Sequence, residues 1–254
     1  MIETLPAFLI ISILELLNLK DLGNILVSSK KIDYIFINSS SADVAKKKKE
    51  IQEMRKFCDN CLWNFGMYAA ACQGDKALVD FFISKGAWCW NDGMIGAVMN
   101  GHYSLVDFFI SKGADDWHDG MCHAAKKGNK YAVEFFISKG ANDWDCSMYD
   151  AAVGGHFFLI NFFISKGAND WNRGMYGAAY GGHLLLIDFF ISRGADDWDR
   201  GMLGAAYGGN QLLVDFFFSK GANNWDHCLQ AAVFAKNKVL IDFFISKKDR
   251  SKLK

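Results

Sequence analysis

Between residues 63 and 248 the apolar positions fall on a fixed beat and do not alternate as a half-buried strand would. Segments beginning DFF, EFF or NFF recur at Asp80, Asp107, Glu134, Asn161, Asp188, Asp215 and Asp242, always 27 residues apart. Tryptophan keeps the same interval at Trp63, Trp90, Trp117, Trp144, Trp171, Trp198 and Trp225, and Trp88 stands off it. With tryptophan as position 1, position 5 is methionine in six copies and Leu229 in the last, and position 8 is alanine in all seven. Glycine holds position 12 from Gly74 to Gly209 and position 24 from Gly86 to Gly221. Positions 19 and 20 are always a phenylalanine pair.

This pattern predicts two helices per unit. Positions 5, 8 and 9 give a short helix with a small-residue face, where a larger residue would overpack the contact with a neighbour. Glycine 12 makes the turn. Asp75, Asn129, Asn210 and Asn237 at position 13 are suited to cap the second helix. The position-13 histidines, His102, His156 and His183, are expected to bond backbone. The second helix carries an apolar stripe at positions 16, 17, 20 and 21, and Lys-Gly or Arg-Gly at 23 and 24 stops it. One unit cannot bury both faces, so the units must stack. The prediction is an all-α helical solenoid of about seven helix–turn–helix repeats. Its last unit departs as a cap would, with Lys236 and Lys248 in place of the two glycines and a basic KKDRSKLK tail.

Composition narrows the reading. The 254 residues are 51% hydrophobic with one proline and 24 glycines, as glycine-punctuated helices require. Net charge is zero, which argues against nucleic acid as a partner. The apolar N-terminal run carries Glu3 and Glu15 and lacks a basic start, unlike a cleaved signal peptide. No apolar run is long enough for a spanning helix. Seven irregularly spaced cysteines read as reduced thiols. A cytoplasmic monomer without a membrane partner is expected.

The run AAYGGHLLLIDFFISRGADD, Ala178 to Asp197, resembles an ankyrin repeat, matching AAxxGHxxxVxxLLxxGAD in register. The resemblance covers about residues 63–248. An ankyrin repeat has about 33 residues. The residues missing here fall where ankyrins carry a β-hairpin, so the resemblance implies a stack without hairpins. Shortened arrays of this kind are similar to those of large DNA viruses of protists, which would place the protein in a host cytoplasm. A second stretch, LPAFLIISILELLNLKDLGNILVSSKKI from Leu5 to Ile32, is similar to an F-box. That resemblance implies a three-helix module over residues 1–45 docking on the Skp adaptor of a cullin–RING ubiquitin ligase through Leu5, Pro6, Ile10, Leu14, Leu17 and Leu22. The acidic residue common two places after the proline is Phe8 here, and the late tryptophan is missing. The other reading of these residues is an amphipathic cap on the stack. Residues 46–62 are a linker or an eroded first repeat, and AKKKKE at 45–50 reads as a solvated lysine face.

Signals of catalysis are weak. Cys58-x-x-Cys61, even with Cys72 and Cys89, lacks further paired ligands, and His118, Cys122 and His123 have no counterparts in neighbouring copies. No metal, cofactor or catalytic residue is assigned, and a non-enzymatic protein is expected. The phenylalanine pairs read as core. The tryptophans read as plugs between adjacent loops, each indole N–H served by the adjoining Asp or Asn. Recognition should come from positions that differ between copies, namely 3, 6, 7, 10 and 11. They hold Tyr68, Lys126, Lys127 and Asp150, and a patch of Arg173, Tyr176, Tyr180, Arg200, Tyr207 and Tyr149 is the expected target-binding surface. The ankyrin resemblance puts this helix on a concave face.

Overall fold

In the computed structural model, residues 63–251 are described, and every regular element among them is helical. The F-box-like segment, residues 46–62 and the pair Cys58 and Cys61 lie outside the described residues. Among the described residues fourteen helices alternate as first and second members of seven 27-residue repeats. They are α1 (63–73), α2 (Lys76–Ser84), α3 (Trp90–Met99), α4 (Tyr103–Ser111), α5 (Trp117–Lys127), α6 (Lys130–Ser138) and α7 (Trp144–Gly154), followed by α8 (Phe157–Ser165), α9 (Trp171–Gly181), α10 (Leu184–Ser192), α11 (Trp198–Tyr207), α12 (Gln211–Ser219), α13 (Trp225–Phe234) and α14 (Lys238–Ser251). The chain divides into two compact units after Asp115. The first contains α1–α4 and the second α5–α14. In the second, α7 packs between α5 and α9, α11 packs between α9 and α13, and each first helix also packs on its own second helix. This is the expected all-α stack of helix pairs.

The sequence beat maps onto the ends of the helices. Glycine 12 sits at φ between +71° and +80° and glycine 24 between +103° and +112°, conformations a Cβ disfavours. Each closes a Schellman turn. Ala195 N–H donates to the Phe190 carbonyl and Gly194 N–H to that of Ile191, both at 3.0 Å. His183 N–H likewise reaches back to Ala178 at 2.9 Å, so the invariant position-8 alanine is both core and turn acceptor. In the seventh repeat Lys236 adopts the left-handed conformation itself, at φ +54°. The predicted caps form. Asp75, Asn129, Asn210 and Asn237 each accept a backbone N–H three residues on.

The two phenylalanines of each pair do different work. At position 20, Phe82, Phe109, Phe136, Phe163, Phe190, Phe217 and Phe244 are at most 1% exposed. At position 19 each ring is half-buried and stands edge-on to its neighbour, with centroids 5.1–5.5 Å apart. Its outer face lies 5.1–5.6 Å beneath the Lys or Arg of position 23. Position 21 is also less buried than the stripe predicted, with Ile245 44% and Phe218 38% exposed. Position 4 shows why the core ring needs space. A Cβ on Gly66, Gly93, Gly120, Gly174 or Gly201 would lie 2.3–2.5 Å from the position-20 ring of the same repeat.

The loops are tied differently from the sequence expectation. The beat tryptophans are half-buried, and Trp63 and Trp225 rest 6.3 and 6.4 Å from Phe82 and Phe244. No hydrogen bond joins the indole of Trp144, Trp171 or Trp198 to the Asp before it. That Asp caps the first helix, as Asp143 does for Cys146 N–H and Asp170 for Arg173 N–H. Capping satisfies an otherwise orphaned helix donor, a stronger demand than that of a partly solvated indole. The side chain at position 2 holds the loop. Asn64 accepts from Trp88 and Cys89 N–H, Asp145 from Asn169 and Asp170, Asn172 from Asp196 and Asp197, and Asp199 from Asn223 and Asn224, all at 2.7–3.0 Å.

Candidate interaction surface

The positions that vary between copies converge on the first helices of the second unit. Tyr149 on α7 and Tyr176 on α9 stack with centroids 5.6 Å apart and planes 12° apart. The Arg173 guanidinium lies 5.8 Å over the Tyr149 ring. Beside this row, Tyr180 and Tyr207 lie 6.5 Å apart, and Tyr207 meets Phe234 edge-on at 5.9 Å. Five of the six expected target-binding residues therefore fall in two contact groups, Tyr149, Tyr176 and Arg173 in one and Tyr180 and Tyr207 in the other. Arg200, the sixth, is exposed and close enough to act electrostatically on the Tyr176 hydroxyl. Phe234, 79% exposed, was missed. It holds position 10 like Tyr180 and Tyr207, and that shared position was the available signal.

Small residues of the following helix set the tyrosine geometry. A Cβ on Gly177 or Gly204, at position 7, would fall 2.9 Å from the ring of Tyr149 or Tyr176 and 2.5 Å from its carbonyl oxygen. The bare backbone therefore lets consecutive helices close up under each ring. Burial pushes the Tyr149 hydroxyl up to about 12 and raises that of Tyr176 as well. Both rings remain partly accessible, and Tyr180 is 37% exposed. A rigid aromatic ladder flanked by guanidinium groups suits contact with a protein surface, where Tyr and Arg are favoured anchors.

The histidines of position 13 are structural. His156 Nε2 meets the Lys126 carbonyl oxygen at 3.0 Å and His183 Nε2 that of Val153 at 3.1 Å, each linking a turn to the preceding repeat. Of the candidate metal group, His118 Nδ1 accepts the loop N–H of Asn142 at 3.3 Å, because His118 occupies the loop-holding position 2. His123 bonds the Asp119 carbonyl at 3.1 Å. Cys122 meets the next repeat, where its sulfur lies 3.6 Å from Ser147 Oγ. Cys122, Cys146 and Asp150 place their two sulfurs and a carboxylate oxygen within 4.8 Å of one another. Hydrogen bonding to Cys146, then burial, raises the Cys122 thiol, while the same bond lowers that of Cys146. Burial raises the Asp150 carboxyl.

Comparison with protein-family models gives no match, and comparison with curated proteins gives none either. The class of protein is defined by its architecture. It is a helical-repeat protein, an arrangement typical of protein-interaction scaffolds. No helix among the described residues is long and apolar enough to cross a membrane.

Proposed function

We propose that this chain is a protein-interaction receptor built on shortened ankyrin-like repeats, and that it delivers a bound protein target to a cullin–RING ubiquitin ligase. The observation that carries the interaction role is the Tyr149–Tyr176 stack under Arg173, built from the positions where the copies differ. Residues that only maintained the stack would repeat with it, as Ala178 and Phe190 do. The target docks on Arg173, Tyr176, Tyr180, Arg200, Tyr207 and Tyr149. The link to the ligase rests on the sequence resemblance of Leu5 to Ile32 to an F-box, with Leu5, Pro6, Ile10, Leu14, Leu17 and Leu22 meeting the Skp adaptor. The chain acts as a cytoplasmic monomer, in a host cell if its origin is viral, and performs no chemistry. It raises the effective concentration of its target at the ligase.

An adaptor pull-down tests the ligase link. The full chain should capture a Skp-type adaptor, and the Leu5→Ala/Pro6→Ala variant should lose it. Capture by neither protein, or equally by both, refutes the link. If deletion of residues 1–45 then also lowers the thermal stability of the array, those residues cap an interaction scaffold with no ubiquitin connection.

A further inference from the structure

We propose that Cys122, Cys146 and Asp150 form a binding site for a thiophilic divalent cation of the zinc class. The starting point is where the repeats fail to repeat. Position 6 carries Tyr149 and Tyr176 in the fourth and fifth copies, and position 7 of the copy after each is Gly177 and Gly204. Large ring and bare glycine are complementary, because a Cβ there would lie 2.9 Å from the ring. At the junction of the third and fourth copies the pair is reversed. Position 6 shrinks to Cys122, and position 7 grows to Asp150. The thiol leaves room for the carboxylate. Cys146 at position 3, where the copies carry different residues, completes the group, and Ser147 replaces the usual position-4 glycine beside it.

The outcome is two sulfurs and a carboxylate oxygen within 4.8 Å, drawn from two helices. Cys146 and Asp150 are four residues apart on one face of α7, and Cys122 reaches them from α5. Tetrahedral zinc with bonds of about 2.3 Å to sulfur and about 2.1 Å to oxygen needs donors about 3.6–3.8 Å apart. The observed group must therefore close by about 1.2 Å at most, within the reach of side-chain rotation. Two thiolates select a soft or borderline cation over calcium or magnesium, which take oxygen ligands. Cys122 is 7% exposed, but Cys146 and Asp150 are half-buried, so the group has an open side for an ion and a fourth ligand. Lys126 and Arg173 act electrostatically on Asp150, offsetting the excess negative charge of such a donor set.

Cobalt(II) titration of the reduced full-length chain is the test. One equivalent should produce the near-ultraviolet thiolate-to-cobalt charge-transfer band, and zinc should bleach it. Cys146→Ser should abolish the band, and Asp150→Asn should weaken cobalt affinity about tenfold or more, both with unchanged far-ultraviolet circular dichroism. Cys58→Ser/Cys61→Ser should keep the band, which separates this site from the other cysteine pair. A missing band in the full chain overturns the proposal. So does a band that survives Cys146→Ser or disappears with Cys58→Ser/Cys61→Ser.

Discussion

Gly174 and Phe190 offer a quantitative check of the packing logic. A methyl group added at Gly174 would meet the Phe190 ring at 2.4, 2.6 and 2.8 Å, and that ring is fully buried. Alanine in a helix interior gains about 1 kcal/mol over glycine. Overpacking a filled core costs about 1–3 kcal/mol. Ser147 and Cys228 occupy the same repeat position, so the neighbouring ring can yield, and the cost falls toward the lower end. Gly174→Ala should thus be neutral to about 2 kcal/mol destabilising. Phe190→Ala alone should cost about 3–5 kcal/mol, through lost burial and the cavity left behind. In that background the sign for Gly174→Ala reverses. The helix gain of about 1 kcal/mol remains, and the methyl now enters the vacated space, adding about 0.8 kcal/mol for one buried carbon. The double-mutant cycle should show a favourable coupling of about 2 kcal/mol or more. Urea unfolding followed by circular dichroism measures it, with amide exchange in α9 and α10 as a local readout. Additivity within about 0.5 kcal/mol would show that the ring and the glycine are not in steric register, and the account of position 4 would fall.

Three further outcomes can be measured. Lys236→Gly should stabilise the protein by about 1 kcal/mol, because the left-handed φ of +54° strains a residue with a Cβ; a lower melting temperature would contradict this. Asn172→Ala removes the acceptor for Asp196 and Asp197 N–H and should cost about 1–3 kcal/mol, whereas Asn172→Asp combined with Asp196→Asn should be tolerated, since Asp145 and Asp199 face Asn169 and Asn223; equal losses in both would refute the loop-holding role. Burial pushes Tyr68, Tyr149 and Cys228 each up to about 12 from ordinary values of 10.0, 10.0 and 9.0. These groups bind protons more tightly when folded, so their contribution is fully present below pH 9 and is lost as pH rises toward 12. Tyrosinate absorbance should therefore stay incomplete at pH 11 until urea is added, and Tyr149→Phe should shrink the urea-dependent step; complete ionisation of the folded chain at pH 11 would contradict the assignment.

The helices were legible because each boundary carries its own local chemistry. Glycine 12 and glycine 24 mark the turns, and Asp75 or Asn210 marks a start, without help from distant residues. The aromatic rings stand where the copies depart from one another, and Gly177 and Gly204 make room for two of them. Three features were not read. The role of Asp170 was misjudged because a capping side chain and an indole acceptor look alike beside Trp171, and only geometry shows the bond to Arg173 N–H. The glycines at position 4 keep the beat as plainly as those of the turns, yet their reason is a ring sixteen residues away in the same repeat, as Gly174 lies against Phe190. Cys122 was grouped with His118 and His123 along its own helix. Its true neighbours, Cys146 and Asp150, come from the next repeat and meet it only when the helices stack.

The side chains that hold the loops point one way along the chain. Asp145, Asn172 and Asp199 each secure the segment entering the next repeat, and His156 and His183 each reach back to a carbonyl of the repeat before. In this unit the fourth to seventh repeats complete themselves on groups their predecessors already display. A chain leaving the ribosome would meet that order naturally, because each new helix pair arrives at a template made earlier. Truncation should be equally one-sided. Removing repeats from the C-terminal end leaves the remaining loops held, while removal from the N-terminal end strips the first surviving turn of its partner.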